Sequence, residues 1–287
     1  MKNIGLHAKR AAPAVSMLAP VSLWLVLFIA VPMCFILGIS MMTKDPLGGY
    51  IESISFSGYS KIASAGNLRV FGVSAWVAFL TTVICVFLGY PFAYIISRAS
   101  KRMKGTLIML IMLPFWTNSL IRTYGIMTII RDNGILNNLL RALGVIEQPL
   151  QLLYTDGAVL LGMVYTLFPF MVLPLYSSLE KLDGSLLEAA SDLGAPPVRA
   201  FFRVTLPLTV PGIFAGSIQV FIPTLGYFFI SDMLGGGKTI YIGNLIKNQF
   251  YTARDWPFAC ALSMALIALT IILLKLYTKI GSMEDLA

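Results

Sequence analysis

The stretch "VFGVSAWVAFLTTVICVFLGYPFAYIIS" (residues 70–97) contains no Asp, Glu, Lys or Arg. A helix of roughly 20 apolar residues crosses the hydrocarbon core of a bilayer, so this run is long enough to span a membrane. Four more stretches lack these charged residues, and a sixth contains Arg122 alone; they are 11–43, 157–179, 204–231, 256–274 and 105–130. The sequence therefore predicts an all-α, polytopic helical membrane protein with about six transmembrane helices.

The composition agrees with this prediction. Hydrophobic residues make up 57% of the chain and charged residues 12%, whereas soluble domains carry about 25% charged residues. A soluble fold would have to bury six very long apolar helices in one small domain, which the composition disfavours. The apolar run after Lys2, Lys9 and Arg10 is too long for a typical signal peptide, so we interpret it as a retained first span.

Loop charges predict the orientation. The short loop "RASKRMKG" (98–105) concentrates four basic residues, and basic residues in short loops mark the cytoplasmic side. We therefore expect both termini in the cytoplasm. The formal net charge of +8 then follows from topology and anionic lipid, without a nucleic-acid partner. The predicted segments are a cytoplasmic tail 1–16, a single transmembrane domain 17–279, spans near 17–42, 70–97, 106–130, 157–179, 209–231 and 256–276, a cytoplasmic loop 183–208, and a cytoplasmic tail 280–287.

The sequence "LGGGKTIYIG" (234–243) superficially resembles a phosphate-binding loop. Such a loop requires the pattern G-x-x-x-x-G-K-[ST] between a β-strand and a helix. Here the residue five positions before Gly237 is Asp232, and an apolar span precedes the glycines. We therefore predict no nucleotide site in this chain, and we expect the glycines to turn the chain as it leaves the membrane.

The predicted cytoplasmic loop contains the stretch "DGSLLEAASDLGAPPVRAFFRVTLPL" (183–208). Ser185 followed by Glu188 is typical of a capping box, which predicts a helix starting at Leu186. Gly194 suits the residue just after a helix, and Pro196 or Pro197 suits the first turn of the next one. From these features alone, the segment is either a helical hairpin on the membrane surface or a docking element.

A more specific interpretation comes from a family resemblance. The series Glu188-Ala189-Ala190, Gly194, nine further residues and Val204-x-Leu206-Pro207 resembles the EAA loop of ABC importer permeases. In that family the loop is a coupling helix, which docks in a groove of a separate ATPase subunit. The resemblance implies an ATPase-coupling role for Glu188, Ala189, Ala190, Gly194, Leu206 and Pro207.

The resemblance extends along the chain. "LPFWTNSLIRTYG" (113–125), "LPLYSSLEKLDGSLLEAASDLGA" (173–195), "SDMLGGGK" (231–238) and "RDWPFA" (254–259) are similar to PotB-type permeases of spermidine/putrescine importers. The resemblance implies a type I ABC importer permease in a bacterial inner membrane, beside a second, homologous permease subunit. It also implies a partner ATPase dimer that binds ATP and Mg, and an external polyamine-binding protein. On this interpretation the chain holds no cofactor and is not an enzyme.

A polyamine is a flexible polycation, so its path should offer carboxylates, aromatic faces and amide acceptors. Candidate side chains toward the outer side are Trp116, Asn118, Tyr124, Tyr227 and Asp232. Asp232 is alternatively an interfacial or capping residue, and Trp116 and Tyr124 are alternatively aromatics of the membrane interface. Arg122 either pairs with an outer acid such as Asp132 or Asp232, or extends toward the interface.

Two other functions remain as alternatives. An ABC permease for another small solute would carry the same loop. A secondary transporter or channel would be expected to show acids well inside its spans and an internal repeat, and we find neither in the sequence. A membrane enzyme is disfavoured because His7 is the sole histidine and no Cys/His or paired-carboxylate constellation is present.

Overall fold

The computed structural model describes residues 18–284, with side chains as far as residue 276. The elements in chain order are α1 (Leu18–Ser40), β1 (Met42–Lys44), β2 (Tyr50–Ile54), α2 (Ser57–Ile62), α3 (Ala65–Arg98), α4 (Lys101–Met112), α5 (Ser119–Ile130), α6 (Ile135–Ala142), α7 (Asp156–Glu180), α8 (Gly184–Asp192), α9 (Pro197–Leu208), α10 (Val210–Gly226), α11 (Phe228–Gly235), α12 (Ile242–Tyr251) and α13 (Trp256–Glu284). Within α1, Val26–Ala30 is a π-helical turn, and Phe201–Thr205 is another within α9.

Four described helices are long and apolar enough to cross a membrane: α1, α3, α7 and α13. Two bent pairs raise the total to as many as six. One pair is Lys101–Trp116 with Ser119–Ala142, bent by 93°, and the other is Pro197–Leu208 with Val210–Gly226, bent by 61°. The predicted all-helical membrane fold is confirmed.

The stretch 106–130, expected to be one span, consists of two helices meeting at a sharp bend. After α4, Leu113–Trp116 forms a 3-10 turn, and Pro114 in it has no N–H to continue the helical ladder. The Asn118 side chain then accepts a 2.8 Å hydrogen bond from the backbone N–H of Leu120. This contact caps the start of α5, so a new helix begins in a new direction.

The chain divides into two compact units. The larger one, Ala65–Lys247 with Ala268–Ala287, has α3, α7 and α10 packed together at its centre around buried residues such as Cys85, Leu167, Met171 and Val220. Gly216 allows the close approach of α10 to α7, because an added Cβ would lie 2.7 Å from the Met171 sulfur and 3.2 Å from its Cα.

The smaller unit is the chain up to Ser64 together with Asn248–Ile267. It contains a β-hairpin that the sequence analysis missed, in which Thr43 pairs with Ile51 and Lys44 with Tyr50. Asp255, 5% exposed, accepts a 2.7 Å hydrogen bond from the Lys61 ammonium. The same carboxylate accepts from the N–H of Phe258 and so caps α13, which leaves a buried charge both paired and hydrogen-bonded.

Candidate functional site

The segment 183–208, called the hairpin below, consists of α8 and α9. Asp183 caps α8, since its Oδ1 accepts a 3.0 Å hydrogen bond from the N–H of Ser185. This backbone hydrogen bond lowers the pKa of the Asp183 carboxyl below its usual value. The predicted capping box at Ser185 and the predicted start at Leu186 are wrong. Asp183, two positions before Ser185, accepts the hydrogen bond at the start of the helix, which begins at Gly184.

The end of α8 agrees with the prediction. The N–H of Gly194 donates to the carbonyl of Ser191 at 2.9 Å, and the N–H of Ala195 donates to the carbonyl of Ala190 at 3.0 Å. These two bonds form a Schellman motif, which places the residue after the helix in the left-handed region. Gly194 has φ +75°. Pro196 caps the next helix and Pro197 is its first residue, as expected.

The hairpin presents an apolar surface that the described part of the chain does not cover. No residue of α8 is buried. Leu193 is 88% exposed, Val198 68% and Phe202 60%. Of the predicted coupling residues, Glu188, Ala189, Gly194 and Pro207 are exposed, and Ala190 and Leu206 are half-buried. Leu193, Val198 and Phe202 lie outside the predicted spans, where exposed apolar surface is typical of a protein–protein contact.

One end of the hairpin is anchored to the helical core. Phe201 packs edge-on against Tyr90 and Tyr94 of α3, with ring centroids 5.5 Å and 6.2 Å away. The Tyr90 hydroxyl lies 2.9 Å from the Thr209 hydroxyl at the bend between α9 and α10. Leu206 packs against the same core cluster. Packed aromatic rings therefore join the hairpin to α3, and a hydroxyl contact joins α3 to the bend before α10.

Asp232 lies on α11 in a polar network, called the outer cluster below because the loop charges predict the outer side of the membrane for it. Its Oδ2 is 2.5 Å from the Lys247 ammonium, and its Oδ1 accepts a 2.6 Å hydrogen bond from the Asn244 amide. Asn244 is buried and accepts from the Ser231 hydroxyl at 2.7 Å. The Lys247 ammonium also lies 5.7 Å from the centre of the Phe228 ring.

This arrangement overturns the suggested pairing of Arg122 with an outer acid. Lys247 and Asn244 occupy the Asp232 carboxylate, and no ion pair joins Arg122 to Asp132 or Asp232 in the described chain. The sequence analysis missed Lys247 and Asn244. Their spacing of three residues places them on one face of α12, which is a signal that was available.

The remaining predicted path residues lie around two helix breaks. Tyr227 is the half-buried residue between α10 and α11, with φ −76° and ψ 79°. Trp116 and Tyr124 flank the bend between α4 and α5 and are 81% and 60% exposed. The Asn118 side chain is used as a cap. Because α11 packs against α5, the two breaks belong to one region of the larger unit.

The glycine-rich loop is a turn, as predicted. Gly236 and Gly237 have φ +63° and +71°, a region that favours glycine. A Cβ on Gly236 would lie 2.6 Å from the Tyr154 ring, so the lack of a side chain at this position also leaves space for that ring. The α11 helix precedes the loop, where a phosphate-binding loop requires a strand.

Residues 80–280 match the family model of the "binding-protein-dependent transport system inner membrane component". The chain belongs to this family. The matched range contains both the hairpin and the outer cluster. The permease is therefore an inner-membrane component of an ABC transport system, and its family consists of transporters.

Curated relatives resemble the permease over most of its length. It is 43% identical over 256 residues to the spermidine/putrescine transport system permease protein PotB of Haemophilus influenzae, covering 89% of this chain and 90% of that protein. Identity to PotB of Escherichia coli K12 is also 43%, covering 93% of that protein. The inner membrane ABC transporter permease protein YdcU of Escherichia coli is 32% identical over 73% of this chain.

Solved structures share the fold. A chain of a bacterial ABC transporter involved in importing the acidic polysaccharide alginate superposes with a TM-score of 0.76 at 18% identity, covering 98% of the permease and 99% of that chain. A chain of an alginate transporter in complex with a pentasaccharide-bound periplasmic protein gives 0.76 at 16% identity, with 94% of each chain covered. These matches support the predicted ABC importer permease fold.

Proposed function

We propose that the permease is one of two membrane subunits of an ATP-driven importer of spermidine and putrescine. The observation that carries this proposal is the 43% identity, over 89% of the chain, to permeases named for these polyamines. The outer cluster supports it, because a carboxylate beside aromatic rings is the environment that stabilises a partly desolvated ammonium group.

The hairpin is the proposed coupling element. Glu188, Ala189, Ala190 and Gly194 contact a groove on a partner ATPase dimer, which binds ATP and Mg and performs the hydrolysis. The exposed apolar residues of the hairpin support this role, since burial against a partner would remove them from water. Leu206 and Pro207 lie at the end of the hairpin that precedes α10. Half-buried Leu206 packs against the core, so the proposed role of these two residues is to anchor the hairpin.

The proposed substrate path runs past Tyr227 and Asp232 at the outer end, and past Trp116, Asn118 and Tyr124 at the α4–α5 bend. An external polyamine-binding protein delivers the substrate, and a second, homologous permease forms the other half of the path. The carboxylate of Asp232 remains one-third exposed beside Lys247. It therefore retains access for an incoming cation.

The same proposal includes the layout of the chain in the membrane. The spans near 17–42, 70–97, 106–130, 157–179, 209–231 and 256–276 form one transmembrane domain, 17–279. Tails 1–16 and 280–287 and the hairpin lie in the cytoplasm. The basic loop at 98–105 supports this orientation.

The test is uptake of radiolabelled spermidine and putrescine by cells that lack their own polyamine importers. The cells express this permease with an ATPase, a second permease and a binding protein from the same source organism, and a tag on this chain recovers its partners. We expect ATP-dependent uptake of both polyamines and co-purification of the ATPase and second permease. Import of a different solute, with partners recovered, would favour an ABC permease for that solute. Uptake by this chain without an ATPase would favour a secondary transporter.

A further inference from the structure

Arg122 lies in the first turn of α5 without a counter-charge. Its guanidinium carbon is 5.2 Å from the centre of the Phe115 ring. Its Nε is buried and has no hydrogen-bond partner in the described chain. Among residues 18–276, whose side chains the structure describes, no carboxylate forms an ion pair with it.

The surroundings of Arg122 are a groove with apolar walls. Arg122 lines two adjoining depressions of about 400 Å³ and 380 Å³ between α3, α4, α5 and α7. Both include Leu161 and Tyr165 of α7. Phe115 is itself fixed by an edge-on contact with Phe170 at 5.0 Å. The Phe115 ring, held by Phe170, therefore packs against the guanidinium of Arg122, and the Arg122 side chain lines the groove.

No anion within the described part of the chain neutralises Arg122. A ring face attracts a guanidinium but neither cancels its charge nor accepts its in-plane N–H groups. The rise from Lys101 to Trp116 is about 24 Å at 1.5 Å per residue, which places the bend within the membrane segment of the chain. A buried guanidinium nitrogen without a hydrogen-bond partner is costly in such a segment. One of the two predicted partners, Asp232, is paired with Lys247 instead.

We propose that Arg122 binds a carboxylate of an Asp or Glu side chain on the second permease subunit, and that this ion pair fixes the interface between the two subunits. The proposal rests on the proposed function, which supplies that subunit. A carboxylate fits because it accepts two parallel N–H bonds from the planar guanidinium.

The position of Arg122 favours a protein carboxylate over a lipid phosphate. Arg122 lies between Asn118 and Tyr124 in the chain, and both of these residues belong to the proposed polyamine path. A bare cation there would repel a polycation, so its neutralisation must be permanent during transport. A side chain anchored in the partner subunit provides this, whereas a lipid can exchange.

The test uses the assembled complex, purified through a tag on this chain, with Arg122→Glu, Arg122→Met and Arg122→Lys. Arg141→Glu is the matched control, because Arg141 is an exposed arginine at the end of α6. We expect Arg122→Glu to lower the second permease recovered per tagged chain at least about tenfold, since truncating or reversing one member of a buried interfacial pair is strongly unfavourable. Arg122→Met should lower recovery less, Arg122→Lys least, and Arg141→Glu should leave it unchanged.

A second arm identifies the source of the anion. Asp and Glu residues of the second permease are changed to Lys one at a time, and we expect one of these changes to restore assembly with Arg122→Glu. Full recovery of the second permease with both Arg122→Glu and Arg122→Met would overturn the proposal. The proposal would also be overturned if the Arg122→Met complex lost bound anionic phospholipid, measured by native mass spectrometry, while its subunit ratios stayed unchanged.

Spermidine uptake by the wild-type complex is measured in parallel. If uptake is absent while the Arg122 variants still impair assembly, the polyamine substrate is rejected and the interface ion pair is retained.

Discussion

The hairpin and the outer cluster differ in whether the chain itself covers or pairs their side chains. In the hairpin, apolar side chains such as Leu193 and Val198 are left uncovered, 88% and 68% exposed. The outer cluster satisfies its charges within the chain, through Lys247 and Asn244 on Asp232. Exposed apolar surface costs free energy until a partner covers it. A paired charge, in contrast, is stable in the isolated subunit, and the exposed third of the Asp232 side chain leaves room for a cation beside Lys247.

This difference separates the two roles in the proposed function. If the hairpin binds a partner, transport should be sensitive to changes in its shape and backbone geometry. If the outer cluster stabilises a cation, transport should be sensitive to changes in its charge and should tolerate substitutions that preserve the charge. The predictions below use substitutions that alter one property at a time.

The largest effect is expected at the turn of the hairpin. Gly194→Val places a β-branched residue at φ +75°, where the strain amounts to roughly 1–3 kcal/mol. An added Cβ meets no other atom of the described chain within 4 Å, so the change spares the permease core and distorts the docking surface. We expect transport to be abolished with membrane insertion intact. Ala190→Trp, which adds bulk on the same surface, should have the same effect.

Gly184→Ala is the matched control for that experiment. Gly184 is also in the hairpin with open space around its Cα, but its φ is not positive. Normal uptake with Gly184→Ala and none with Gly194→Val would support a geometric coupling surface. Normal uptake with Gly194→Val would mean that the segment is only a surface hairpin.

The next effect is expected at Asp232. Asp232→Asn retains the size of the side chain and removes its charge, so it tests the electrostatic contribution alone. We expect spermidine and putrescine uptake to fall about tenfold or more, because a hydrogen bond to a charged group is worth about 1.5–3 kcal/mol. Basal ATPase activity should persist. Asp132→Asn, at an exposed outer acid, is the control, and equal effects of the two changes would argue against a specific role for Asp232.

A smaller effect is expected at the anchor of the hairpin. Tyr90→Phe preserves the ring that packs on Phe201 and removes the hydroxyl 2.9 Å from that of Thr209. Losing one such buried hydrogen bond costs about 1 kcal/mol. We expect a few-fold loss of transport and a small decrease in the melting temperature of the complex. Tyr94 makes no such hydroxyl contact with Thr209, so Tyr94→Phe should reduce transport less. An equal loss of transport with the two variants would contradict the role assigned to the Tyr90 hydroxyl.

The smallest effect is expected in the glycine-rich loop. Lys238 is exposed at a turn, and we expect Lys238→Ala to leave nucleotide binding and ATPase activity of the complex unchanged within about twofold, the range of a surface substitution. Loss of nucleotide binding with assembly intact would show that the loop contacts the nucleotide after all.

Much of the fold could be predicted because the length of each stretch without charged residues is read directly from the sequence and does not depend on tertiary structure. The Gly194 turn and the prolines after it were also predictable, since both depend on local backbone preference. The 93° bend at Asn118 was harder, because an Asn can either cap a helix or lie within one, and a Pro such as Pro114 can either kink a helix or end it. Asp183 replaced Ser185 as the cap because two candidates, two positions apart, compete for the same N–H groups. The Asp232–Lys247 pair joins two helices across a turn, and such a pairing depends on tertiary structure.

The most direct test of the account is spermidine uptake into proteoliposomes that contain the whole complex, with the binding protein outside and ATP inside. The wild-type permease and Gly194→Val are compared at equal subunit ratios. We expect ATP-dependent uptake, competed by putrescine, with the wild type and none with the variant. ATP-independent uptake, or equal uptake by both proteins, would contradict the claim that this chain imports polyamines by coupling its hairpin to a partner ATPase.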